Sequence, residues 1–281
     1  MKKNKIAARR KISIYSKKFA QNAYLAFLFR FIGISGDYLD INECFVEMPN
    51  FQPAPDPIAV ETVEFKDDCL RACLRSQIRG RLCLSAEHRP KDNACVLSEK
   101  YGEKRSISVT IKKNSYFENI CARSQEGGRL EAKLTGFRGG EGVLELVQCK
   151  GEKTKLLAIM TGLQENRDFH VIYIPGVELS SCHKIDPSKD NPGRKLITID
   201  SDSRGMAIQP WIDVDFNIFD SSVINKTIAI VDSNSSNIVD CGYLQINMNA
   251  SEWDRAKNGF ALNCIYFGQI ITISSFLSIF F

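Results

Sequence analysis

Six cysteines fall within residues 44–121, and they constrain the fold of this stretch more than any other feature of the sequence. The chain of 281 residues has ten cysteines but only three histidines, and no two cysteines have the C-x-x-C spacing of a zinc site. A disulfide framework formed in an oxidising compartment therefore fits better than a metal cluster. The ten are Cys44, Cys69, Cys73, Cys83, Cys95, Cys121, Cys149, Cys182, Cys241 and Cys264.

A helix is predicted within Val63–Arg75, where Cys69 and Cys73 are four residues apart. Positions i and i+4 share one face of a helix, so both thiols can reach the same neighbouring sheet. Arg81–Ser85 and Ala94–Leu97 are predicted as short strands. The helix is thus expected to be the element to which the strands are cross-linked.

The order of these elements resembles the PAN or apple domain over residues 44–121: a lone first cysteine, a helix with C-x-x-x-C, two strand cysteines and a closing cysteine. Six cysteines allow fifteen pairings, and spacing alone does not choose among them. The resemblance implies Cys44–Cys121, Cys69–Cys95 and Cys73–Cys83. It also implies a module that binds protein or carbohydrate and carries no catalytic residues. His88 is interpreted as a solvated residue of a polar loop.

A short polar linker at residues 124–127 precedes a region of short apolar segments without a convincing long amphipathic helix. Phe137–Gly142 between the first two segments is rich enough in glycine for a hairpin turn. Seven or eight strands at this spacing are typical of a β-sandwich or barrel. The predicted strands are Arg129–Gly136, Val143–Val147, Lys155–Met160, Phe169–Ile174, Lys195–Ile199, Met206–Ile208, Lys226–Val231 and Gly242–Ile246.

Three parts of residues 128–246 together resemble copper/zinc superoxide dismutase. Phe169–Val171 is similar to the family's G-F-H-V-H strand, Ser222–Val231 to its S-I-I-G-R-T-L-V-V-H strand, and Asp240–Gly242 to its A-C-G closing strand. The order and approximate spacing of the three agree with the family.

This resemblance completes the predicted fold class, which is multidomain. An α+β, disulfide-rich apple-like module comes first, and an all-β Greek-key barrel or sandwich follows. The resemblance also implies a disulfide between Cys182 and Cys241.

The family's copper ligands are mostly replaced in this sequence. By the resemblance, His170 matches the first copper histidine, whereas the second and the last correspond to Ile172 and Val231. Aliphatic side chains have no lone pair to donate to a metal, and copper redox chemistry needs imidazole ligands of defined geometry. At least two of the four copper ligands are therefore missing.

The zinc ligands and the anion guide are replaced as well. His183 follows Cys182 directly, where it is the candidate for the bridging histidine. The resemblance places Lys195 near the zinc aspartate and Ile238 at the arginine that guides superoxide. The charged loop that steers the anion is shortened to residues 232–240. A weak, vestigial metal site formed by His170 and His183 is the alternative to no metal at all, and copper or zinc is then the metal.

The two ends of the chain carry targeting features. Residues 1–18 hold eight lysines and arginines and no acid, and an apolar run follows, so residues 1–36 are predicted to be a secretory signal peptide or leader. A signal anchor, an organelle leader and a wrongly placed start codon are the alternatives. Without this stretch the chain has 29 basic against 33 acidic residues, which removes the main support for a nucleic-acid partner.

Residues 260–281 are uncharged and long enough to span a bilayer. With the small residues Asn249, Ala250 and Ser251 and a polar spacer before them, residues 247–281 have the layout of a glycolipid (GPI) attachment signal. A transmembrane tail, a final hydrophobic strand and a frameshifted gene end are the other readings. N-x-[ST] sequons at Asn225, Asn234 and Asn249 are compatible with glycosylation of a secreted protein.

The sequence thus predicts a PAN/apple domain at residues 37–123 and a superoxide dismutase-like barrel at 128–246, without catalytic residues. The expected function is binding or adhesion in the extracellular space or on the outer face of the plasma membrane. Its partner would be an extracellular protein or carbohydrate, and a homodimer is a further option. The alternative is a superoxide dismutase-family protein that retains copper or zinc binding or residual dismutation.

The Cys182–Cys241 bridge can be tested by mapping disulfides in the non-reduced full chain. We expect mass spectrometry of proteolytic peptides to find these two cysteines in one linked pair. A free thiol at either position would contradict the predicted barrel.

Overall fold

A helix lies at the centre of the first module in the computed structural model, which describes residues 41–104, 114–122, 125–134, 136, 139–175 and 193–259. Helix α1 spans Lys66–Ile78, three residues later in the chain than predicted. Asp67 and Asp68 lie in its first turn, where the helix dipole favours negative charge. Its buried residues include both cysteines as well as Leu70 and Leu74. Two sides of α1 are therefore covered, one by each module.

An antiparallel sheet of five strands packs on α1, in the order β1-β7-β4-β5-β3, with a separate β2-β6 pair beside it. Disulfides join Cys44 to Cys121, Cys69 to Cys95 and Cys73 to Cys83. These are the pairs that the PAN resemblance implies. The strands are β1 Phe45–Glu47, β2 Phe51–Gln52, β3 Ala59–Thr62, β4 Ser85–Arg89, β5 Ala94–Ser98, β6 Glu103–Lys104 and β7 Ser115–Asn119.

The interpretation of His88 as a solvated loop residue is wrong. His88 lies within β4 and is only 7% exposed, and its Nε2 is 3.2 Å from the carbonyl oxygen of Glu64, which accepts the hydrogen bond. The strand predicted at Arg81–Ser85 begins only at Ser85. Polar residues concealed this strand, because buried Glu87 is paired with Arg89 instead of facing solvent.

The second module is all-β, with two facing sheets. One has the order β13-β10-β9-β8-β16 and the other β12-β11-β14-β15, and all the pairings are antiparallel. Bridges between Leu134 and Gly242 and between Ser201 and Ala207 join the sheets at both sides. The strands are β8 Gly128–Lys133, β9 Glu141–Gln148, β10 Thr154–Thr161, β11 Asp168–Ile174, β12 Arg194–Asp200, β13 Ala207–Val214, β14 Thr227–Asp232, β15 Ile238–Tyr243 and β16 Gln245–Ile246.

Alternating residues of these strands fill the space between the two sheets. On β11, Phe169, Val171 and Tyr173 point into this core, whereas His170 and Ile172 lie on the opposite face. Such alternation follows from the two-residue period of a strand. On β11, every second residue therefore faces the core between the two sheets.

The predicted polar spacer lies mostly within a second helix, α2 (Ala250–Asn258). Trp253 is 6% exposed and belongs to the core of the second module, with its ring 5.4 Å from that of Phe219. Close approach of these rings requires the glycine at position 128, where a Cβ atom would lie 2.5 Å from a Phe219 ring carbon. Helix α2 is therefore part of the folded second module.

The two modules share a hydrophobic core. Leu70 and Leu74 of α1 belong to the same buried cluster as Leu157 and Ile159 of β10 and Ile208 of β13. The indole Nε1 of Trp211 donates a hydrogen bond of 3.1 Å to the Cys121 carbonyl. All described residues accordingly belong to one compact unit.

Charged groups also cross this boundary. Arg71 Nη1 of α1 lies 2.5 Å from Asp202 Oδ2, and both side chains are less than one-fifth exposed. Arg204 forms an ion pair with Asp68 beside it. Removing one partner of a largely buried ion pair leaves an uncompensated charge, which is strongly destabilising. These pairs fix the orientation of α1 on the second module.

Glu145 of β9 is an acidic residue near the boundary between the modules, and burial raises the pKa of its carboxyl group. Arg129 opposes this effect, while Glu131, directly across the β8–β9 ladder, adds to it. The side chain shares a face with Leu157 and is hydrogen-bonded to Gln77 of α1. An ionisable group thus lies within the contact between the modules.

The predicted leader at residues 1–36, the tail at 260–281, and His183 and Cys182 lie outside the described residues. Within the described part of the chain, no helix is long and apolar enough to cross a membrane.

Substitution of Leu157 by alanine tests whether the modules are one folding unit. We expect a loss of about 2–5 kcal/mol of unfolding free energy, because a buried side chain is replaced by a cavity. Native-state hydrogen exchange should show weaker protection in β4 as well as in β14. The control Leu82→Ala, at a side chain 47% exposed, should change stability by about 0.5 kcal/mol or less. Unchanged protection of β4 in Leu157→Ala would contradict a shared core.

Glu145→Gln should stabilise the protein at neutral pH. A raised folded-state pKa means that stability is greatest below the unfolded-state pKa and is lost as pH rises through the folded-state pKa. Calorimetry should therefore give the variant a higher Tm than wild type at pH 7, with the difference shrinking toward pH 4. The exposed control Glu152→Gln should show no such trend. A lower Tm of Glu145→Gln at neutral pH would contradict the assignment.

Candidate functional site

His170 lies half-buried on the outer face of β11, at the position that the sequence analysis singled out as a metal ligand. Its Nδ1 is 3.2 Å from the hydroxyl of Thr198, its partner across the β11–β12 ladder. On the other side it faces Val231 of β14. The imidazole thus has one polar neighbour and one aliphatic neighbour.

The four replaced positions all cluster around this histidine. Val231 is opposite both His170 and Ile238, and Ile172 is opposite Lys195. Directly paired residues of antiparallel strands have their side chains on the same face. The four positions therefore lie on one surface, although they are spread over nearly 70 residues of chain.

This surface is mostly apolar around His170, at the positions that the family resemblance assigns to copper ligands. Ile174, Ala229, Val231, Ile238 and Cys241 form a buried cluster against which Ile172 packs. Within the described ranges, no three histidine, cysteine, aspartate or glutamate side chains come together as a metal site would require. One imidazole among aliphatic groups does not fit copper or zinc, which need several nitrogen, sulfur or oxygen donors.

The loop predicted to have lost its anion-steering charges is a tight turn between β14 and β15. Asp232 Oδ1 accepts backbone hydrogen bonds from Asn234 and Ser235 at 2.8 and 2.9 Å. These bonds, led by that from Ser235, lower the pKa of Asp232. The carboxylate is therefore engaged in holding the turn.

The three sequon asparagines are all exposed. Asn225 and Asn234 lie in turns, and Asn249 caps helix α2 by accepting a hydrogen bond from the Glu252 amide at 2.9 Å. Cys149 and Cys241 are disulfide-bonded. For Cys241, the predicted partner Cys182 lies outside the described residues.

A second candidate site is a cleft of about 360 Å³ in the first module, between α1 and the edge of its sheet. This is within the range of small binding pockets. Its apolar lining comprises Ala72 of α1, Leu97 of β5, and Ile58 and Ala59 at the start of β3. The cleft lies on the same face of the sheet as the disulfide of Cys95, so the cross-linked framework holds both of its walls in place.

Positive charge dominates the rim of this cleft. Arg75, Arg79 and Arg81 line it with Ser76 and the single acid Glu61. Arg79 is 3.9 Å from Glu141 of the second module, whereas neither Arg75 nor Arg81 has an ion pair among the described residues. Two exposed guanidinium groups are therefore available to a ligand.

Sequence reasoning did not find this site. The four-residue spacing that brought Cys69 and Cys73 together also separates Arg75, in the last turn of α1, from Arg79, the residue that caps its C-terminus. That spacing was the available signal. Arg81 and Glu61 could not be added to it, since they come from other segments that only the folded sheet brings alongside.

Comparison with known proteins agrees with this description of the first module. Residues 44–121 match the family model described as the PAN domain. The chain is thus a PAN-domain protein with an all-β second module. It is also 34% identical over 221 residues to an uncharacterized protein of Caenorhabditis elegans, an alignment that covers 74% of this chain and 77% of the relative.

The chain belongs to the family of this nematode protein. The alignment is much longer than the PAN match, so it includes a large part of the second module too. The nematode protein thus aligns with parts of both modules of this chain. PAN domains and disulfides are typical of extracellular proteins.

Proposed function

We propose that this protein is a non-catalytic binding or adhesion protein of the extracellular space or cell surface. Its PAN module would bind a protein or carbohydrate through the cleft beside α1. The observation that carries this proposal is the contrast between the two candidate sites: the cleft offers unpaired arginines, whereas the face around His170 offers aliphatic groups.

We further propose that the second module is a copper/zinc superoxide dismutase-like barrel that has lost its chemistry. The strand order supports a Greek key, because β12 pairs with β11 and is followed by a single bridge to β13, and β14 returns to lie beside β11. The common face of Ile172, Val231, Lys195 and Ile238 beside His170 supports this part of the proposal. The module would then support α1 and position the cleft.

Secretion, glycosylation at the three exposed sequons and attachment to a membrane through residues 260–281 complete the proposal. The buried position of Trp253 favours a tether that leaves α2 in place. Retained copper or zinc with residual dismutation is the competing function. It is favoured only by the placement of His170 on the face where a ligand would be.

Metal analysis of the full chain, after dialysis against excess copper and zinc and then buffer, tests the loss of chemistry. We expect well under one metal ion per chain and dismutation no faster than buffer, because a single imidazole does not hold either ion tightly. Near-stoichiometric copper with measurable dismutation would contradict the proposal.

Introducing histidines beside His170, with a matched pair of histidines elsewhere as the control, tests whether this face is a former metal site. Ile172→His/Val231→His would place three imidazoles on one face, and copper affinity should rise by about tenfold or more over wild type. Ile212→His/Ile246→His adds the same groups at exposed positions elsewhere and should give a smaller gain. Equal gains in the two variants would argue against a former metal site around His170.

A further inference from the structure

We infer that the arginine-lined cleft binds an acidic segment of a protein partner, extended alongside β3. This inference rests on the proposed binding function and specifies the ligand of the same site. Charge, the free edge of the sheet and the lining of the cleft each support it.

Charge selects an anion. Arg75 and Arg81 are exposed and without an ion pair in the described part of the chain, and Arg79 is held only loosely by Glu141. Guanidinium groups bind carboxylates through paired, charge-assisted hydrogen bonds. Their distribution over the end of α1 and the following turn suits a ligand with more than one carboxylate.

The edge of the sheet selects an extended chain. β3 is the last strand of the described sheet, and Val60 on it is 62% exposed. The Val63 amide donates to the Asn93 carbonyl across the β3–β5 ladder at 2.8 Å. Because inward and outward amides alternate along an antiparallel strand, the amides of Val60 and Thr62 are directed to the free edge. A peptide can add there as a further strand.

The lining favours a peptide over a sugar. None of the residues that line the cleft is aromatic, so no ring is present on which a sugar could stack. The apolar lining of Ile58, Ala59 and Leu97 suits aliphatic side chains next to the carboxylates. Glu61, on the cleft side of β3, would repel a ligand charged at every position. Acidic residues at alternate positions, all on one side of an extended peptide, fit best.

A fluorescent peptide that alternates glutamate and valine is therefore the probe, with a lysine–valine peptide and a heparin fragment as the other arms. We expect the full chain to bind the glutamate peptide, more weakly at higher salt, and to bind the other two at least about tenfold less tightly. Tighter binding of the heparin fragment at this site would overturn the inference in favour of a sulfated glycan.

A double substitution tests the contacts of the arginines with the peptide. Arg75→Gln/Arg81→Gln should weaken peptide binding by about tenfold or more, since charge-assisted hydrogen bonds are lost. Lys153→Gln/Lys257→Gln makes the same change in net charge at exposed residues elsewhere and should leave binding nearly unchanged. An equal loss in both variants would reduce the effect to overall charge and overturn the site.

Val60→Pro removes one amide from the free edge, where proline is tolerated. This variant should weaken peptide binding as much as the arginine substitutions do, and its circular dichroism spectrum should be unchanged. The control Glu47→Pro alters β1, at the opposite edge of the sheet. The Met48 amide donates a hydrogen bond to the Tyr116 carbonyl, so the amide of Glu47 is directed away from the sheet. Unweakened binding by Val60→Pro would overturn strand addition.

Adhesion of the full chain to an extracellular-matrix coating separates this inference from the proposed function. We expect the matrix to be bound and the glutamate peptide to compete. Adhesion that persists at saturating peptide would overturn the acidic-peptide ligand while leaving the binding function in place. Absence of adhesion in wild type would count against the binding function itself.

Discussion

Helix α1 is the element on which the rest of the structure depends. Two disulfides attach it to the sheet of the first module, through Cys69 and Cys73, and apolar contacts attach it to β9 and β10 of the second. A disulfide-rich module of this size has little core of its own, so cross-links and a neighbouring module compensate. Arg75 and Arg79 are therefore presented on a helix that is fixed from two sides.

The second module keeps its core apart from the face around His170. The core lies between the two sheets, so residues of the outer face can change without loss of this packing. Beside His170 the outer face carries a separate buried apolar cluster. The same module supplies Leu157 and Asp202, which contact α1 and thereby support one wall of the cleft.

The sequence predicted most elements because their determinants are local. Cysteine spacing located α1 and the first module, and short apolar segments located most strands of the second. β4 was misplaced because Glu87 and His88 are buried polar residues, satisfied by Arg89 and by a backbone carbonyl that sequence does not reveal. The helix around Trp253 was missed since one buried residue among charged neighbours gives little periodic pattern. The cleft could not be predicted, because its position depends on which strand lies at the edge of the folded sheet.

We propose that binding resides in the cleft of the first module and that the histidine face of the second has no part in it. Matrix adhesion of His170→Ala, measured beside Arg75→Gln/Arg81→Gln in the full chain, separates the two faces. We expect unchanged adhesion for His170→Ala and a loss of about tenfold or more for the arginine variant. Loss of adhesion in His170→Ala, with the arginine variant unaffected, would contradict it.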